Sequence, residues 1–150
     1  MIEPNNRFQD QNLRLTDFQQ EVWVSCISCG KKAIASANYE TKTARLFCVH
    51  CGYNKEKTTT STVLGNQGNL IIAAHIYFDA ELWLQMSFKE TVFFAYNDEH
   101  LVYLKRYITA TLREHKDRTH FTLLEKLPRF YHEAKNREAL LKIINKLKKK

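Results

Sequence analysis

Alternating and helical hydrophobic patterns divide the chain into a β-rich first part and a more helical second part. Val22-Trp23-Val24-Ser25 alternates as a short strand does. Ala33–Tyr39 and Thr43–Phe47 are extended stretches joined by a turn through Glu40-Thr41-Lys42, and Tyr53–Thr60, rich in threonine, is expected to return as a further strand. Gly65-Asn66-Gln67-Gly68-Asn69 packs turn-forming residues together and reads as a break between modules. Beyond it, Ala80–Met86 and Glu90–Tyr96 are each of strand length and are expected to pair across Ser87-Phe88-Lys89. Leu82, Leu84 and Met86 would then share one face and Trp83 the other, buried under a helix or exposed as a stacking platform; burial is the expectation.

Helical spacing takes over after Asn97, a good N-cap, with Asp98 and Glu99 where the helix dipole favours acids. Leu101, Leu104, Ile108 and Leu112 recur on one face, predicting a helix that ends near His115. Thr122–Leu127 reads as a short helical segment stopped by Pro128, and Asn136 is expected to cap a last helix striped by Leu140, Ile143, Ile144 and Leu147. The pattern gives an α+β fold in three parts. These are an extension over residues 1–20, polar at its tip, an antiparallel β module over 21–64, and a hairpin-plus-helices module over 65–150. The second module's expected core is Leu82, Leu84, Phe93, Leu101, Leu104, Ile108 and Leu140.

The four cysteines change this picture most. They form two pairs, Cys26-Ile27-Ser28-Cys29-Gly30 and Cys48-Val49-His50-Cys51-Gly52, with 18 positions separating Cys29 from Cys48. That is the spacing of a four-thiolate zinc site, in which strand, turn and strand bring the second pair opposite the first. Zinc prefers four tetrahedral ligands and binds soft thiolates well, so Cys26, Cys29, Cys48 and Cys51 are the expected shell and Zn2+ the expected cofactor. Gly30 and Gly52 sit where each knuckle must turn back through a left-handed residue. Disulfides would need an oxidising compartment, and the first residues hold no apolar run of the secretory kind, so reduced thiols in the cytoplasm are expected. A redox motif needs a single pair, and four thiolates leave no open position for catalysis or for His50, which reads as a surface residue.

Charge adds a candidate partner class. The net charge is +7 over 150 residues, spread unevenly. Residues 1–60 carry eight Lys/Arg against six Asp/Glu, residues 61–96 one against three, and residues 97–150 fourteen against seven. Basic clusters attract phosphates, so Lys31, Lys32, Arg45, Lys55 and Lys57 near the knuckles, with Lys142, Lys146 and Lys148, are candidate nucleic-acid contacts. The competing reading is a solvated helix end whose lysines oppose the negative pole of the dipole. The longest apolar stretch, residues 70–78, is far shorter than the ~20 residues a membrane span takes.

The knuckles resemble the zinc ribbons of the transcription-factor-IIB type, a likeness carried by the four cysteines and covering about residues 20–60. The remainder resembles a little-characterised group of bacterial proteins that contain such a ribbon, through Leu82-Trp83-Leu84-Gln85, residues 95–101, Leu127-Pro128-Arg129-Phe130 and residues 134–141. In that group a further cysteine pair often follows the Trp-Leu-Gln segment. Ser87-Phe88-Lys89-Glu90 stands there instead, so no second metal is implied. The resemblance implies a bacterial cytoplasmic protein and carries no activity.

Catalytic constellations are thin. Asp79 and Glu81 would share a strand face, as carboxylates for a divalent ion should, with Lys89 or the Glu114-His115-Lys116 triplet as helpers of a metal-dependent nuclease. Solvated strand faces commonly carry such pairs. His100, His115, His120 and His132 have no nucleophile nearby, with His100 expected on a helix surface and His75 partly buried. The sequence therefore favours a non-catalytic zinc-ribbon module that docks a protein partner or a nucleic acid. Direct DNA or RNA binding and nuclease chemistry are the alternatives, and no small-molecule substrate is indicated.

Overall fold

A computed structural model describes residues 8–9, 15–109, 113–114 and 133–150. Among the described residues the fold is α+β, mostly antiparallel sheet with two helices, and the chain divides into two compact units. One is Phe18–Asn97; the other combines Met1–Asp17 with Asp98–Lys150.

Phe18–Asn97 is built on a four-stranded antiparallel sheet of β2 (Glu21–Ser25), β3 (Lys32–Asn38), β4 (Thr43–Phe47) and β5 (Asn54–Thr58), in that order. The register follows from one-sided burial. Val22, Val24, Ala33, Ala35, Ala37, Ala44 and Leu46 alternate inward and are buried, so a one-residue slip would expose all of them. β3 and β4 are each paired on both sides, and β3 turns only alanines, Ala33, Ala35 and Ala37, to the buried face. The turn between β3 and β4 is fixed by Asn38, whose Oδ1 accepts from the amides of Glu40 (3.0 Å) and Thr41 (3.1 Å), while Lys42 takes a positive φ of 60°.

Gly65–Asn69, read as a module break, lies inside this unit as part of a hairpin of β6 (Thr60–Val63) and β7 (Asn66–Asn69). Leu64 and Gly65 both have positive φ, 53° and 81°, as a two-residue primed turn requires. The hairpin base is tied down: the Leu70 amide donates to the Thr59 carbonyl (2.8 Å), and Asn69 Nδ2 to the Tyr39 carbonyl (2.8 Å). The apolar run that follows is irregular with one 3-10 turn, Ile76–Phe78, and buries Ala73, Ala74 and Phe78.

The expected second hairpin forms as β8 (Leu84–Phe88) and β9 (Thr91–Ala95), but its turn is Lys89-Glu90, two residues later than the sequence suggested. Lys89 supplies the left-handed residue, φ 54°, and Phe88 is thereby freed to extend the buried row of Leu84. Leu84 and Phe93 are buried as expected, whereas Leu82 and Trp83 are half-buried.

In the other unit, α1 (Asp98–Thr109) packs against α2 (Arg137–Lys148), and Phe8–Gln9 (β1) pairs in parallel with Arg113–Glu114 (β10). Leu101, Leu104 and Ile108 from α1 and Leu140, Ile143, Ile144 and Leu147 from α2 are buried. His100 corrects an expectation. It is 1% exposed rather than on the surface, because it lies four residues before Leu104 on the packed face. Asn136 precedes α2 without a side-chain cap, its amide instead donating to Glu133 Oε1 (3.2 Å) at the end of a 3-10 turn. The expectations on residues 1–7 and 10–12, Leu112, His115, Lys116, His120, Thr122–Leu127, Pro128, Arg129-Phe130 and His132 lie outside the described residues. Among the described residues no helix is long and apolar enough to cross a membrane.

Candidate metal centre

Strand β2 delivers Cys26 and strand β4 delivers Cys48, and each strand then turns through an equivalent knuckle. In the first, the Cys26 amide donates to the Lys31 carbonyl (2.7 Å) and the Gly30 amide to the Cys26 carbonyl (2.9 Å). In the second, the Cys48 amide donates to the Tyr53 carbonyl (2.9 Å) and the Gly52 amide to the Cys48 carbonyl (2.8 Å). The offsets are identical, and so is the device that closes them: Gly30 has φ 78° and Gly52 φ 80°. Nothing lies within 4 Å of the position a Cβ would take at either glycine, so backbone conformation alone selects it there.

The two knuckles bring all four sulfurs within 4.8 Å of one another. Cys26 Sγ lies 3.6 Å from Cys51 Sγ, and Cys29 Sγ 3.6 Å from Cys48 Sγ. A tetrahedral ion bound at about 2.3 Å from each sulfur requires sulfur–sulfur edges of about 3.8 Å, so the donor set fits such an ion in both chemistry and size. The Ser28 and Cys29 amides point at Cys26 Sγ (3.3 and 3.4 Å), offering hydrogen bonds to negative sulfur. Cys26 and Cys48 are buried while Cys29 and Cys51 are exposed, so the cage is half in the sheet and half open to solvent.

The thiols perturb one another. Burial raises the Cys26 thiol, but the Cys29 and Ser28 amides and the Cys51 and Cys29 sulfurs outweigh it and lower it to about 7. For Cys29 the Lys31 amide lowers the pKa, yet burial and the sulfurs of Cys48, Cys51 and Cys26 together push it up to about 11. A cation held among the sulfurs would favour the thiolate form at Cys26 and Cys29.

The other expected residues are spread around this centre. His50 is exposed in its knuckle. Lys32 Nζ lies 3.8 Å from the Trp23 ring centroid, and the Arg45 guanidinium 5.0 Å from that of Phe47, with its Nε on Asn54 Oδ1 (2.9 Å). Lys57 donates to the Tyr77 carbonyl (2.9 Å), while Lys31 and Lys55 are exposed. Lys142, Lys146 and Lys148 are exposed on α2, Lys142 with Glu138 at 3.7 Å. Asp79 and Glu81 lie outside any strand, Asp79 in a left-handed turn at the end of a 3-10 segment, so the shared strand face does not form. Among the described residues the four cysteines are the group that gathers metal-ligating atoms.

Sequence reasoning did not anticipate the outer face of the sheet. Trp23, Ile34 and Phe47 pair in register across three strands and point away from the buried side, in a row next to the knuckles. Strand alternation was the available signal. No protein-family model matches the chain, and no curated protein or solved structure matches it either.

Proposed function

We propose that Cys26, Cys29, Cys48 and Cys51 hold one structural zinc ion and that the chain is a non-catalytic zinc-ribbon module of the transcription-factor-IIB type, whose ribbon docks a macromolecular partner. The observation that carries this reading is the pair of matched knuckles, with opposed sulfurs 3.6 Å apart. Zinc suits four thiolates better than a hard cation would, and the ion would supply rigidity, since a closed shell leaves no coordination site for substrate or water. Reduced thiols of this kind belong in a reducing compartment such as the bacterial cytoplasm.

A protein partner is favoured over nucleic acid for the ribbon. Residues 18–97 carry seven Lys/Arg against six Asp/Glu, and a tetrathiolate zinc centre adds a formal charge of about −2. Such a balance attracts a polyanion weakly. The test is elemental analysis of reduced, freshly purified protein. One equivalent of zinc, lost together with knuckle structure in Cys26→Ser, is expected; metal below half an equivalent with freely alkylated cysteines would refute the reading.

A further inference from the structure

The outer face of the β2–β5 sheet combines exposed apolar groups with cations that lack acidic partners. Ile34 is 37% and Phe47 36% exposed, unusual for large apolar side chains at the centre of a sheet, and Trp23 is half-exposed beside them. Direct cross-strand partners lie about 5 Å apart at Cβ, so Trp23, Ile34 and Phe47 form one continuous ridge. Lys32 covers Trp23 on the knuckle side of this row and Arg45 lies by Phe47 on the other, each stacked on an aromatic ring. Neither has a carboxylate within ion-pair distance among the described residues, although Glu56 is Arg45's register partner.

We propose that this face docks a segment of a partner protein, whose apolar anchors sit on the Trp23–Ile34–Phe47 row and whose carboxylates meet Lys32 and Arg45. The inference rests on the zinc-ribbon reading, because the cage fixes the ends of β2 and β4 that present the row. Charge complementarity selects the occupant. Glu21 and Glu56 lie in the cross-strand row of Arg45, away from Lys32, so a continuous phosphate backbone must cross carboxylates, whereas the separate carboxylates of a peptide can be placed at the cations alone. Discrete carboxylates beside an apolar anchor engage both cations where they stand and strengthen with desolvation.

The experiment selects phage-displayed random peptides on the immobilised, zinc-loaded full chain. Fluorescence anisotropy then measures the affinity of a labelled enriched peptide, with labelled oligothymidylate as the competing probe. Enriched peptides are expected to join Leu, Phe or Trp to Asp or Glu. Binding should weaken about tenfold or more in Ile34→Thr/Phe47→Thr and in Lys32→Gln/Arg45→Gln, each retaining its zinc and far-UV spectrum. No enrichment, binding indifferent to both variants, or tighter binding of oligothymidylate that these variants abolish would overturn the proposal. Zinc content of the same wild-type sample separates the failures: a full equivalent without face-dependent binding removes this inference alone, whereas missing metal removes the ribbon reading beneath it.

Discussion

Replacing Cys48 by serine is the sharpest perturbation of the cage. Cys48 Sγ is fully buried, 3.6 Å from Cys29 Sγ and 3.8 Å from the Lys32 carbonyl, so no solvent ligand can take its place without opening β3 from β4. A serine oxygen sits closer to its Cβ and is a harder, more basic donor, leaving zinc three good ligands. Structural zinc in small modules is worth about 10–16 kcal/mol in apparent binding free energy. An even share for each of four ligands is then roughly 2.5–4 kcal/mol, which lowers zinc affinity about 100- to 1,000-fold. Competition with a chromophoric chelator on the reduced full chain measures this directly, and in a Trp83→Phe background the fluorescence of Trp23 alone follows β2. The total is comparable with a whole domain's stability of about 5–15 kcal/mol, so chelation of the wild type should also melt the knuckles. A Cys48→Ser protein with unchanged zinc affinity would refute the reasoning, because it would mean that the buried sulfur is not a ligand.

Three further outcomes are expected. Burial pushes the His100 imidazole down to about 4, below the ordinary histidine value of about 6.5. The unfolded chain therefore binds a proton first as pH falls, and the associated stability, fully present above about 6.5, is lost progressively down to about 4. Urea melts should show a loss of about 3 kcal/mol over that window, absent in His100→Leu. Gly30→Ala and Gly52→Ala should each destabilise by about 1–2 kcal/mol from left-handed strain alone, whereas Leu64→Asn, at a 95% exposed left-handed position, should raise the melting temperature. Leu140→Ala should cost about 2–5 kcal/mol in the helical unit, read by helical circular dichroism, with zinc content unchanged.

Much of the cage and its strands was legible because the determinants are local. Cysteine spacing, two glycines and period-two alternation place β2, β3 and β4 within about a residue of their observed bounds. The misreadings have tertiary causes. Gly65–Asn69 reads as a break by composition, yet it completes a hairpin whose base is closed by Thr59 and tied by Asn69 to the Tyr39 carbonyl, 30 residues away. The β8–β9 turn slid to Lys89-Glu90 because a lysine accepted a positive φ that propensity would not assign to it. His100 looked like a surface residue because polarity was weighed above its position on the packed stripe. The outer ridge went unnoticed because Trp23, Ile34 and Phe47 are neighbours only once the register is known.

The unequal exposure of the four sulfurs gives the cage a front and a back. Cys26 and Cys48 anchor it to the sheet, while Cys29 and Cys51 face the solvent. Were an ion held there, a competing ligand would reach the outer pair first, with the inner pair still enclosed by the sheet. Alkylation of the reduced protein should accordingly reach Cys29 and Cys51 before Cys26 and Cys48.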